Sequence, residues 1–308
     1  MSPTAAGILL KLVSTVAFAI MLTLIKLATS RVPAGEALFF RSFFGIIPVV
    51  IYLVSLGDFP ASLRTKRPLG HVRRSLVGTV SMFCWFMAVS YLPLPDATAI
   101  SYSGPLFGVC LAALVLHERV RIFRWAAVGI GFVGVLIVLS EQINGLGGAL
   151  EGTRAIGAAL ALASAVLGAV AAVTIRELTA TENTGAIVFY FLASGSVFSF
   201  VTLPFGWVVP SPADAVMLVV AGLFGGVGQV LMTQSYRFAE ASVIAPFDYI
   251  NMLWIVILSY LVFGDVPTVA VLAGSAVVIA SGVFVVWRER RLGILEAKAK
   301  AKSADTPT

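Results

Sequence analysis

The sequence predicts an all-α membrane protein: ten transmembrane helices in two inverted five-helix repeats. Three observations carry that expectation. Hydrophobic residues make up 59% of the 308-residue chain, charged residues only 12%, and the mean hydropathy is +1.00, whereas soluble domains carry about 25% charge. Ten runs are long and apolar enough to cross a bilayer, which takes roughly 20 apolar residues in helical form so that every backbone polar group is bonded internally. The second half of the chain also repeats the first. Gly7, Leu10, Ser14 and Lys26 align with Gly157, Leu160, Ser164 and Arg176 at a constant offset, as do Gly35 and Phe39 with Gly185 and Phe189. Ser90-Tyr91 then meets Ser235-Tyr236, and Glu118 meets Asp265, at slightly shorter offsets that reflect small loop deletions. Each copy holds an odd number of spans, so the second copy is inverted, an arrangement that recurs in secondary transporters.

The spans are expected at 5–29, 34–56, 75–93, 96–117 and 124–141 in a first repeat covering 5–141. Those at 154–178, 185–207, 213–235, 241–263 and 267–287 fall in a second repeat covering 154–290. The first run lacks a basic leader and a cleavage site of small residues and reads as a retained span. Residues 291–308 are rich in Ala and Lys without periodicity and are expected to form a flexible cytoplasmic tail. Sixteen of the 21 Lys and Arg residues, Arg64, Lys66, Arg67, Arg73 and Arg74 among them, fall on one side of the ten-span layout. Flanking positive charge stays in the cytoplasm, so both termini are expected there, in a bacterial cytoplasmic membrane. This bias accounts for the net charge of +6 and calls for no nucleic-acid partner. The lipid bilayer is the expected environment, and the chain is expected to be a monomer or a homodimer.

Cofactor and metal chemistry have no support in the sequence. Cys84 and Cys110 lie inside spans, and His71 and His117 stand apart at loop edges without ligand-spaced neighbours. No phosphate-binding loop and no nucleophile elbow is present. An enzyme is therefore not expected, and active transport would draw on a gradient of a proton, another coupling ion or a solute.

Charges within spans are costly and mark candidate sites. Lys26 near the end of the first span, with Glu36 and Arg41 in the second, forms a candidate outer gate or coupling cluster, the plainer reading being a snorkelling lysine and a Glu36–Arg41 pair. Asp248 lies about 10 Å into the ninth span and is the candidate proton-linked residue. It shares a helix face with Asn251 and Met252, just after Pro246 breaks the helix. The plainer reading pairs it with Arg237 or Arg176. In the eighth span Gln229 follows Gly222 and Gly226 on one stripe; the glycines read as contact surface and Gln229 as a candidate ligand. The first span's Gly7, Lys11, Ser14 and Phe18 also read as a contact face. Ser81 and Trp85 share a face of the third span, with Trp85 far from the interfacial belts where tryptophan gathers. The fourth span, with Tyr102 and Pro105, mirrors the Pro-interrupted ninth, and paired interrupted helices mark the expected midplane site. Tyr102, Tyr249 and Trp254 add aromatic surface suited to an amphipathic or cationic organic solute, and suit ordinary core contacts equally.

The strings Glu36-Ala-Leu-Phe-Phe-Arg41-Ser42, Pro105-Leu-Phe107 leading to Leu116-His-Glu-Arg-Val120, and Ala245-Pro-Phe-Asp-Tyr249 leading to Phe263-Gly-Asp265 resemble the EamA-domain proteins of the drug/metabolite transporter superfamily. Within it they look closest to a branch that includes S-adenosylmethionine uptake carriers. The resemblance spans residues 5 to 290. It implies a central cavity lined by spans one, three, four, six, eight and nine, and alternating access without ATP. The expected function is secondary transport of a small organic metabolite: an amino acid, an S-adenosylmethionine-like molecule or another amphipathic or cationic solute. A passive facilitator, channel or membrane sensor on the same fold is the alternative.

Overall fold

In a lipid medium, helices gain little by hiding apolar surface from one another, so close association falls to small residues and internal polar contacts. The computed structural model describes residues 3–304 apart from 58, 115–121, 144–148, 180 and 239–244. Its helices are α1 (Pro3–Ala28), α2 (Ala34–Ser55), α3 (Pro68–Tyr91), α4 (Leu94–Ser101), α5 (Gly104–Leu114), α6 (Ile122–Ile143), α7 (Ala149–Thr179), α8 (Thr184–Ser199), α9 (Pro212–Phe238), α10 (Ile250–Phe263) and α11 (Val269–Ala304). Six of them are long and apolar enough to cross a membrane, and three shorter apolar helices, Trp125–Ser140, Phe247–Phe263 and Val269–Val285, lie in the fifth, ninth and tenth spans. The divided fourth span completes ten. Large apolar side chains such as Ile51, Leu136 and Leu261 face outward, as a lipid-facing surface requires.

The repeats exchange partners. Helix α9 of the second repeat packs on α1 and α2 of the first, while α3 of the first packs on α7 and α8 of the second. Helices α6 and α11 pair at the far end of the bundle. They approach until a Cβ on Gly134 would lie 2.7 Å from the Gly274 carbonyl oxygen, and one on Gly274 2.6 Å from that of Gly134. Gly226 similarly faces the Gly45 backbone, where a Cβ would come within 2.3 Å of the carbonyl oxygen. Small residues thus set these crossings, as the eighth-span stripe suggested.

Four expected boundaries move. Helix α3 begins at Pro68 rather than 75, because proline at a first helical position needs no donor partner. Arg74, counted in the sequence as a loop charge, is thereby drawn into the helix and buried. The fourth span divides at Tyr102 and Ser103. Pro105 has no N–H for the Ser101 carbonyl, so the chain tightens, with Ser103 N–H donating to Ile100 O at 3.0 Å, and restarts with Leu106 and Phe107 N–H donating to Ser103 O. Residues 115–117 of that span, and His117 with them, fall outside the described residues. The ninth span opens with a 3-10 segment, Ala245–Tyr249, before α10, and its first residues, 241–244, are likewise outside. The segment expected as a flexible tail from 291 is helical as far as Ala304, as a continuation of α11, its Ala and Lys residues being good helix formers.

Candidate functional site

The division of the fourth and ninth spans brings their ends together. Tyr102, at the α4–α5 break, meets Tyr249, the last residue of the 3-10 segment, edge to face with ring centroids 5.3 Å apart. Asp248 precedes Tyr249, and its Oδ1 lies 2.6 Å from Lys11 Nζ on α1. Lys11 is only 1% exposed, while the Asp248 side chain is 49% exposed although it lies deep within the protein. That combination describes a carboxylate at the bottom of a crevice, with one side held by a buried ammonium and the other open.

Unsatisfied polar atoms surround this pair. The Tyr102 hydroxyl faces Asn251, yet neither it nor Asn251 Oδ1 completes a hydrogen bond, and Trp254 Nε1 is buried without a partner as well. Buried polar groups are almost always bonded, and these three lack a hydrogen-bond partner among the described residues. Tyr249 reaches its place because the α11 residue beneath it is Gly282: a Cβ there would lie 1.8 Å from the Tyr249 hydroxyl oxygen.

The remaining candidates are distributed differently. Ser81 Oγ donates to Ser164 O at 2.8 Å and lies 3.3 Å from Ser164 Oγ, joining α3 to α7. Trp85 and Trp254 are half-buried against the main core. Gln229 is buried in α9, with its backbone carbonyl accepting from the Thr233 hydroxyl.

Lys26, Glu36 and Arg41 do not form the expected cluster. Lys26 Nζ donates to the Val89 and Leu92 carbonyls, which end α3 and have no helical partner of their own. Glu36 Oε2 accepts from Val208 N–H at 3.1 Å. Arg41 turns inward to the Phe191 ring. Each charge has a different partner, the end of α3 for Lys26, the backbone at Val208 for Glu36 and the Phe191 ring for Arg41, in place of the Glu36–Arg41 pair. Asp248 pairs with Lys11; the side chains of Arg237 and Arg176, its expected partners, lie outside the described residues. Lys11 is the residue that sequence reasoning missed. Its signal was a cation inside the first span, which needs a carboxylate in a protein with few buried acids.

Ion pairs tie the repeats at both ends of the bundle. Arg31, between α1 and α2, holds Asp214 at the start of α9 through contacts of 2.6 to 3.1 Å, and Ser211 Oγ donates to the same carboxylate. At the other end Glu182, between α7 and α8, accepts from Lys66 N–H at 3.0 Å and lies 3.4 Å from His71 Nε2. Among the described residues no group of three or more His, Cys, Asp or Glu is placed to hold a metal ion.

Ten helical spans, two exchanged repeats and a half-open polar crevice where the interrupted helices meet define a multi-pass membrane protein of transporter architecture. The chain belongs to the EamA-like transporter family, whose pattern matches residues 5–140 and again 155–287. It is similar to the pseudopaline exporter of Pseudomonas aeruginosa, with 30% identity over 90% of this chain and 94% of that one. It also resembles the S-adenosylmethionine uptake transporter of Rickettsia prowazekii, at 25% over 92% and 94%, and the riboflavin transporter of Rhizobium johnstonii, at 27% over 94% of each. A solved crystal structure shares the fold with a TM-score of 0.66 and 21% identity, covering 94% of this chain and 99% of that one. The protein is a transporter of the drug/metabolite superfamily and not an enzyme.

Proposed function

We propose that the chain is a secondary active transporter that moves a small organic solute by alternating access around the crevice between α1, α4 and α10. The observation that carries this reading is Asp248: deep, half-open, and ion-paired with the buried Lys11. Such a carboxylate has two states. A proton, or a cationic group on the solute, competes with Lys11 Nζ for the same oxygen, so occupancy of the site and the Lys11–Asp248 contact oppose one another. Tyr102, Tyr249 and Trp254 supply aromatic faces for an amphipathic or cationic body. The Tyr102 hydroxyl, Asn251 Oδ1 and Trp254 Nε1 supply hydrogen bonds, while Ser81, Trp85 and Gln229 belong to more distant walls. The exchange of partners between repeats supports two mirror-related states, and the lysine and arginine bias supports cytoplasmic termini.

Thermal-shift screening of the detergent-purified protein against amino acids, S-adenosylmethionine, riboflavin and quaternary amines, followed by counterflow in proteoliposomes, tests the reading. Saturable stabilisation with trans-stimulated flux is expected. Flux without saturation or trans-stimulation would replace the carrier with a passive facilitator. Asp248→Asn should remove any pH dependence of flux; unchanged pH dependence would exclude Asp248 as the coupling residue.

A further inference from the structure

Away from the crevice, a groove opens on the seam between the repeats. It lies between the start of α3 in the first repeat and the end of α7 in the second, has a volume of about 510 Å³, and its lining includes Lys66, Arg67, Leu69, Arg73, Glu177 and Leu178. The two helices meet closely there: Leu178 is buried, and a Cβ on Gly70 would lie 2.9 Å from its Cδ2. Three of the named lining side chains are cationic and one is anionic. The anionic one, Glu177, pairs with Arg73, while Lys66 and Arg67 form no ion pair among the described residues. The groove therefore carries an excess of positive charge.

The segment that presents Lys66 and Arg67 is fixed through its backbone. The Tyr190 hydroxyl on α8 donates to Leu63 O at 2.8 Å, Glu182 Oε1 accepts from Lys66 N–H at 3.0 Å, and Thr65 Oγ1 accepts from Arg67 N–H at 3.0 Å. Both cationic residues stand exposed on that anchored segment. From the groove, α3 carries an exposed apolar stripe of Leu69, Val72, Leu76 and Val80. These residues recur every three or four positions and so share one face with Arg73. The stripe runs about 16 Å along the helix, close to the depth of one leaflet in a hydrocarbon core about 30 Å thick.

We propose that this groove binds the headgroup phosphate of an anionic phospholipid, with an acyl chain lying along the α3 stripe. Basic residues beside a span attract anionic lipid, and an arginine fork matches a phosphate in two-point contact. Lys66 and Arg67 meet the phosphate directly, and Arg73 is shared between it and Glu177. A zwitterionic headgroup brings an ammonium group that the same cations repel, and a free phosphate leaves the apolar stripe unused. The bound lipid touches α3 and α7 together, and so joins the two repeats.

The test is thermal unfolding of the full-length purified protein in a non-ionic detergent, titrated with phosphatidylglycerol, phosphatidylcholine or inorganic phosphate at constant ionic strength. Saturable stabilisation by phosphatidylglycerol alone is expected. The double variant Lys66→Gln, Arg67→Gln leaves the backbone bonds of the segment in place and should weaken half-saturation about ten-fold or more, the worth of two basic residues at an anionic surface. Arg154→Gln, near the opposite end of α7, should respond like wild type. Glu177→Gln removes the carboxylate that competes with phosphate for Arg73 and should tighten binding, a change of opposite sign that keeps the proposal testable if the double variant fails to fold. A wild-type protein indifferent to phosphatidylglycerol, equal stabilisation by phosphatidylcholine or by inorganic phosphate, or an equal loss of response in Arg154→Gln overturns it. None of these outcomes depends on counterflow, so the lipid site and the transport reading can fail separately.

Discussion

The two repeats are alike in backbone and opposite in chemistry. Each interrupts the span that should end at the centre, but the first places the neutral Tyr102 at its break, whereas the second places Asp248, which reaches out of its own repeat to Lys11. The loops show the same inversion. The loop after α1 offers a cation, Arg31, to Asp214 of the other repeat, and the corresponding loop after α7 offers an anion, Glu182, to Lys66 and His71. Duplication supplied a symmetric scaffold, and divergence of a few charges made its two ends distinguishable. Equal halves would make two mirror-related states equal in energy, and the unlike charges let them differ.

The sharpest way to break the comparison is Asp248→Asn. It removes the carboxylate that compensates Lys11, which is 1% exposed, and should cost about 3 kcal/mol, at the lower end for a broken buried pair because Asp248 is half open. Thermal unfolding reads it, and Lys11→Met combined with Asp248→Leu should recover most of the loss. An Asp248→Asn protein as stable as wild type would mean that the second break is as neutral as the first. Gly282→Ala comes next. Its Cβ displaces Tyr249, an overpacking cost of about 2 kcal/mol, and the aromatic contact with Tyr102 should loosen, lowering both melting temperature and solute affinity.

Tyr102→Phe tests the first repeat's share. The hydroxyl has no hydrogen bond to lose, so stability should stay within about 0.5 kcal/mol while solute affinity falls about ten-fold, the worth of one bond made only to ligand. Equal affinity would assign recognition to the second repeat alone.

The smallest effects concern the loop ties. Arg31→Gln should lower the melting temperature only slightly, because the Arg31 side chain is more than half exposed, with no dependence on mild acid. The Glu182 tie behaves differently. Burial works to raise its carboxyl, but the Lys66 N–H, the Thr65 hydroxyl and His71 outweigh it and hold the group below the ordinary glutamate value of 4.5. A lowered carboxylate stabilises the fold fully above the ordinary value, and that stability is lost as pH falls through the lowered one. Glu182→Gln should therefore flatten the loss of melting temperature on acidification below 4.5, whereas Arg31→Gln, which releases the Asp214 carboxyl that Arg31 holds below its ordinary value of 3.8, should flatten it only below 3.8.

Much of the architecture was legible because it rests on local properties. Long apolar runs, the spacing of Pro105 and Pro246, and the match of Gly7 through Phe39 to its second copy announced ten spans, two breaks and a duplicated unit. Of the residues singled out in the sequence, Tyr102 meets Tyr249 and faces Asn251, while Asp248 reaches Lys11. Lys26, Glu36 and Arg41 were close in depth and were expected together, but depth is only one coordinate, and each faces a different neighbour.

By itself the sequence determined the medium, the number of crossings and the inversion of the second copy, because hydropathy and parity are counted along the chain. Only the tertiary structure decided that α9 lies against α1 and α2 while α3 lies against α7 and α8. That exchange brings Lys11 to Asp248 and sets Arg41 and Arg74 against the Phe191 ring. A buried charge takes the partner that its neighbouring helices present, and in lipid those neighbours are chosen by the fit of glycine-lined surfaces, which no single stretch of sequence contains.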